Sequence, residues 1–127
     1  MKRYPAEHRK HKKLPRSFVD AISGFRLAVL QERNIRLQLF AAVVVLIFSL
    51  VIGVSRSNLL IILILIGGVI SLELVNTAVE RAVDLVTREP HPMAKAAKDA
   101  AAAAVWWFSV IATIIFAIIL YTTFMTE

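Results

Sequence analysis

Polar and apolar positions divide the chain into blocks with different periods. Residues 1–13, MKRYPAEHRKHKK, form a basic tail with no apolar run. From 14 to 33, Leu14, Phe18, Ile22, Phe25 and Val29 recur at spacings of three and four, with Arg16, Asp20, Ser23 and Arg26 between them. This period predicts an amphipathic helix, and beside membrane spans its expected place is the bilayer surface. Residues 37–54 follow as 18 uncharged positions, about enough to cross ~30 Å of hydrocarbon. The short linker Ser55-Arg56-Ser57-Asn58 makes the next helix antiparallel. That second membrane helix, 59–86, opens with 14 uncharged residues and then carries Glu73, Asn76, Glu80 and Asp84.

Thr87-Arg88-Glu89-Pro90-His91-Pro92 breaks the pattern: Pro90 ends one helix and Pro92 suits the first turn of another. The third membrane helix is expected over 92–125, with Lys95, Lys98 and Asp99 early and an uncharged run of 27 residues from 100 to 126. Trp106 and Trp107 lie well inside that run and form no evident interfacial belt. The expected fold is an all-α membrane protein: an N-terminal amphipathic surface helix plus three transmembrane helices, in a single integral-membrane domain over 1–127.

Composition agrees with the pattern. Of 127 residues 58% are hydrophobic, above the roughly 45–50% of soluble domains, and the mean hydropathy is +0.71. The absence of cysteine excludes disulfides and thiolate metal sites. The net charge of +6 comes from a skewed distribution, since ten of the fifteen Lys and Arg fall within the first 36 residues. A basic cluster directly before a membrane span points to anionic lipid and to topology, not to nucleic acid. The 55–58 linker holds only Arg56, whereas Arg81, Arg88, Lys95 and Lys98 surround the second loop. The positive-inside rule therefore puts the N-terminus and the 87–98 loop in the cytosol. No cleaved signal peptide is expected ahead of the first span.

The chemistry is concentrated on the second membrane helix. At about 100° per residue, Glu73, Asn76, Glu80 and Asp84 fall within one stripe about 80° wide. A carboxylate facing lipid costs at least ~2.5–3.5 kcal/mol near the bilayer centre, so the stripe must face protein, water or metal. Fourteen residues of rise place Glu73 roughly 9 Å inside the cytosolic boundary and Glu80 at that boundary. The first has the depth of a lipid hydroxyl, and the second can reach Mg-ATP. Glu32 stands at the same level ahead of the first span, and two carboxylates with phosphate oxygens suit Mg²⁺. Lys98 and Asp99, level with them on the third helix, can contact phosphates or ribose. Plainer roles exist for each. Glu73 and Asn76 can act as interhelical glue, Glu80 and Asp84 can pair with Arg81, Arg88 or Lys98, and Glu32 can be a solvated helix-end charge. His91, between two prolines, suits a loop.

On these residues the chain resembles the small prokaryotic diacylglycerol kinase family, and within it the Gram-positive branch that acts on undecaprenol. The resemblance is carried by Glu73-Leu-Val-Asn76-Thr-Ala-Val-Glu80-Arg-Ala-Val-Asp84, by Glu89-Pro-His91-Pro and Ala97-Lys98-Asp99, and by Glu32-Arg-Asn34-Ile-Arg36, covering roughly residues 14–125. It implies a homotrimer that phosphorylates a membrane lipid hydroxyl with ATP and Mg²⁺, converting undecaprenol to undecaprenyl phosphate. The alternative within the fold is diacylglycerol kinase making phosphatidic acid, and from another class a non-catalytic membrane subunit or channel. The resemblance makes Glu73 the general base, Glu32 and Glu80 the metal carboxylates, and Asn76, Glu89, His91, Lys98 and Asp99 the residues around the nucleotide. Asp20 departs from it where relatives carry an aromatic beside the adenine, and Ala103 where glycine is frequent.

Overall fold

The computed structural model describes residues 14–126, so the basic tail, with His8 and His11, lies outside the described residues. Four helices follow in order: α1 (Leu14–Gln31), α2 (Arg33–Val51), α3 (Arg56–Val86) and α4 (Pro92–Met125). There is no strand among the described residues. The last three helices are long and apolar enough to cross a membrane.

Helix boundaries depend on backbone chemistry more than on charge, and here they differ from the charge-free blocks. The helix α2 starts at Arg33, taking Asn34 and Arg36 into its first turns, because a single extended residue, Glu32 (φ −108°, ψ 112°), separates it from α1. The Glu32 amide closes the last turn of α1 on Ala28 O at 2.8 Å. Across the elbow, Arg36 Nη1 donates to Val29 O at 2.9 Å and Leu30 O at 3.0 Å. A cation thus sits on the carbonyl end of α1, where unpaired C=O groups and the helix dipole favour it.

At its other end α2 stops at Val51. Gly53, with φ +74°, takes the left-handed conformation that glycine adopts without penalty. The Val54 amide then reaches Ser49 O (3.0 Å) and the Gly53 amide reaches Leu50 O (3.3 Å), the paired bonds of a Schellman stop. Ser55 caps α3, its Oγ accepting from the Asn58 amide. His91 caps α4, its Nδ1 accepting from the Met93 amide at 3.1 Å with Pro92 in the first turn.

Both α2 and α4 pack on α3, α4 more extensively, while α1 touches α2 and α3; α2 and α4 do not pack on each other among the described residues. Close approach of α3 and α4 depends on Gly68: a Cβ there would lie 2.4 Å from Phe108 Cζ. The interior is thin. Ala28, Ile35, Ile62, Val105 and Ile119 are its buried apolar residues, and large apolar side chains such as Phe40, Ile64, Trp106 and Tyr121 remain exposed along the spans. A chain in water could not leave so much apolar surface open; in a bilayer it faces lipid or other protein.

Candidate functional site: carboxylates held by amides

The polar stripe of α3 turns inward at its deepest members. Glu73 is 5% exposed, Asn76 7% and Thr77 4%. Glu73 Oε2 accepts a hydrogen bond from Gln38 Nε2 of α2 at 3.0 Å. About two turns further along α3, Glu80 Oε1 accepts from Asn76 Nδ2 at 3.4 Å. Each of these carboxylates is therefore held by a neutral carboxamide, which orients it without cancelling its charge. The two amide oxygens, Gln38 Oε1 and Asn76 Oδ1, are buried with no hydrogen-bond partner among the described residues. Each orphan acceptor costs on the order of 1–3 kcal/mol, which a ligand or neighbouring chain that donates there would relieve.

Further out the partners are cations. Arg81 Nη2 donates to Gln31 Oε1 at 2.8 Å and lies 3.7 Å from Glu32 Oε1. These contacts bring the α1–α2 elbow to the turn of α3 that carries Glu80. Glu32 makes no side-chain cap for α2, so its carboxylate is directed to α3 instead. Lys98 Nζ meets Asp84 Oδ1 at 2.6 Å, joining α4 to α3, and Lys95 pairs with Asp99 within α4. These pairs are one-third to three-quarters exposed, so each contributes at most about 1 kcal/mol. Their value lies in assembling the charged groups at one end of the bundle.

The sequence-derived candidates thus converge only in part. Glu73, Asn76 and Glu80 lie along one face, Glu32 joins them through Arg81, and Lys98 joins the outer end through Asp84. Asp84 is engaged as the ion-pair reading of the sequence allowed, whereas Glu80 binds an amide. Asp99 is turned to Lys95. Glu89 is exposed in the loop, its amide bonded to Thr87 Oγ1 at 3.1 Å, and His91 uses Nδ1 for the α4 cap. Gln38 carries no charge, so the charge pattern of the first span does not single it out. The available signal was a single amide in an otherwise apolar stretch from Leu37 to Phe48.

Below Glu73 lies an apolar cleft of about 260 Å³. The floor is α3 and the walls are α2 and α4, with Gln38 at one end and Phe116 among the lining residues. Small side chains keep it open: Ala41 and Ala42 on α2, Ser109 and Ala112 on α4. Ile62, Ile66 and Val69 lead along the floor, and Glu73 follows Val69 at a spacing of four, on the same helix face.

These features define a polytopic helical membrane protein that keeps acidic and amide side chains packed together at one end of its apolar spans. The chain belongs to the prokaryotic diacylglycerol kinase family, whose model matches residues 19–120, an interval that contains every candidate above. Over 100 residues it is 50% identical to the undecaprenol kinase of Bacillus subtilis (strain 168), a match covering 79% of this chain and 81% of that protein.

Proposed function

We propose that this protein is a lipid kinase that transfers the γ-phosphoryl group of ATP to the hydroxyl of a membrane-embedded alcohol, undecaprenol in preference to diacylglycerol. The observation that carries the proposal is the buried Glu73 at the head of an apolar cleft, beside a cluster of charged groups. A lipid tail enters the cleft, the hydroxyl comes to Glu73, and the nucleotide binds at the charged end. The preference for undecaprenol follows the likeness to the Bacillus relative.

In the transfer, Glu73 takes the hydroxyl proton as the lipid oxygen's electron pair forms the new O–P bond. The bond from the γ-phosphorus to the β–γ bridging oxygen breaks, and ADP leaves with that electron pair. Phosphoryl transfer asks the protein chiefly for position and electrostatic stabilisation, and the α1–α2 elbow, α3 and the start of α4 supply side chains for both. Glu32 and Glu80 are the residues suited to Mg²⁺. No three acidic or histidine side chains converge into a closed cage among the described residues. Two hard-oxygen donors suit an ion that is completed by phosphate oxygens and water. When bound, the ion neutralises charge on the phosphates. Lys98 and Asp99, with Asn76, Glu89 and His91, surround the nucleotide in this scheme, and Lys98 leaves Asp84 for a phosphate.

The topology that serves this reaction places the N-terminus, the loop before α4 and the charged cluster in the cytosol, where ATP is, with α1 along the membrane surface. The uncovered faces of α2, α3 and α4 are available to further copies of the chain in a homotrimer. The whole of 1–127 acts as one catalytic domain.

The decisive assay presents purified protein with Mg-ATP and either undecaprenol or diacylglycerol in mixed micelles and follows labelled phosphate into the extracted lipid. Faster turnover of undecaprenol is expected. Transfer to neither lipid overturns the kinase proposal, and faster transfer to diacylglycerol overturns the choice of substrate.

A further inference from the structure

Glu73 is held by a residue that lies on another helix and lines the cleft. Gln38 projects from α2, and its Nε2 donates to Glu73 Oε2 at 3.0 Å; the same side chain forms one end of the cleft wall. A carboxylate has two oxygens and a free torsion at the end of a three-bond stem, so burial alone does not decide which oxygen faces an incoming alcohol. Pinning Oε2 decides it, because Oε1 is then the oxygen left for a proton.

We propose that Gln38 is a positioning residue for phosphoryl transfer, clamping Glu73 through one oxygen so that the other is presented to the hydroxyl of a lipid alcohol at the head of the cleft. The proposal rests on the base role of Glu73. A neutral amide suits this task better than a cation, since it orients a carboxylate while leaving it free to accept a proton. Four cations at this end of the bundle have partners of their own. Arg36 caps α1, Arg81 reaches Gln31 and Glu32, Lys98 binds Asp84 and Lys95 binds Asp99. Glu80 is taken up by Asn76. Gln38 is thus the single hydrogen-bond donor on Glu73 among the described residues.

Its amide oxygen supports the same assignment. Gln38 Oε1 is buried and has no partner among the described residues, so the side chain is oriented by its bond to Glu73 and not by any competing contact of its own carbonyl. Side-chain geometry of this kind, set by one neighbour, is what a catalytic group needs if it is to meet its substrate in a productive arrangement.

The test is steady-state kinetics of Gln38→Met in the full-length protein, a substitution that keeps the volume and removes both hydrogen-bonding ends. The expected result is a kcat for lipid phosphorylation lowered tenfold or more, with the KM for Mg-ATP and the thermal unfolding midpoint unchanged. A kcat within twofold of the parent overturns the proposal. So does a loss of kcat accompanied by a matching rise in KM for Mg-ATP and a lowered midpoint, which marks a merely structural role. Gln38→Asn, which keeps the amide one methylene further back, is expected to give an intermediate kcat, and it decides the matter if Gln38→Met does not fold. Glu73→Gln, measured in parallel, separates the two proposals: full activity there removes the base itself, whereas an inactive Glu73→Gln beside fully active Gln38 variants removes only the clamp.

Discussion

Replacing Glu73 by glutamine changes one atom of the site and nothing of its shape. In the parent, Glu73 Oε2 accepts from Gln38 Nε2 at 3.0 Å. The carboxamide of the variant can present its oxygen to the same donor, so the α2–α3 contact survives as a neutral hydrogen bond. A charge-assisted bond is roughly twice as strong as a neutral one, so the loss in stability is expected to stay near ~1 kcal/mol, offset by the smaller cost of burying an amide than a carboxylate. Turnover responds differently. An amide cannot take the hydroxyl proton, and a positioned general base is worth about 10²–10⁴ in rate, or roughly 3–5 kcal/mol of barrier. The assay is transfer of labelled phosphate from Mg-ATP to lipid, run beside thermal unfolding with and without Mg-ATP. Turnover should drop by a factor of about a hundred or more, while nucleotide-dependent protection against unfolding is retained because the charged end of the site is untouched. Activity within threefold of the parent would refute the base role.

Three other substitutions probe the scaffold and the nucleotide end. Glu80→Ala is expected to abolish the protection that Mg-ATP gives against thermal unfolding while leaving the apo midpoint near the parent's; unchanged protection speaks against Glu80 as a metal carboxylate. Gly68→Ala drives a Cβ into the Phe108 ring, 2.4 Å from Cζ and 2.7 Å from Cε1, and should destabilise the protein by about 1–3 kcal/mol. Gly67→Ala, with nothing within 4 Å of its Cβ, is the matched control for packing within one chain, and equal midpoints for the two overturn the close α3–α4 approach. Arg36→Met removes both bonds to the last carbonyls of α1, at a cost of about 1 kcal/mol for exposed groups. Amide hydrogen exchange near the α1–α2 elbow should accelerate, and no change there counts against the cap.

Much of the architecture was legible because its signals are local. Pro92 after His91 marks the start of α4, whereas the stop of α2 at Val51 rests on the left-handed Gly53, which the uncharged run 37–54 passes over. The long α3 was read through its acids because a helical stripe at spacings of three and four is visible in sequence. The elbow at Glu32 was not, since no proline or glycine adjoins it; what holds it is Arg36 reaching back over α1, a contact between elements. For the same reason the 37–54 span, bounded by charge, corresponds to a helix that starts at Arg33 and ends at Val51. Glu73, Asn76 and Glu80 could be placed on one face from their spacing. Which residue of α2 meets them depends on the register of two packed helices, and sequence periodicity within each helix does not fix that register.

The choice of partner for each acid separates structural from chemical groups. Asp84 and Asp99 have lysines within hydrogen-bonding reach, whereas Glu73 and Glu80 have amides. Glu32 stands between the two cases, 3.7 Å from an Arg81 whose nearer contact is Gln31 at 2.8 Å. A carboxylate bound closely by an ammonium or guanidinium group is a poor proton acceptor, and a bound metal would have to displace the cation from it. One held by an N–H of a neutral amide keeps its charge for either task, at the cost of burying a charge with less compensation. In the proposed reaction Glu73, Glu80 and Glu32 must accept a proton or a divalent ion, and none of the three has a cation as near as the lysines that hold Asp84 and Asp99. Lys98 and Lys95 gain by the converse arrangement. Their exposed pairs are weak, so a polyphosphate arriving at the end of the bundle can exchange a carboxylate for a phosphate on either lysine with little loss.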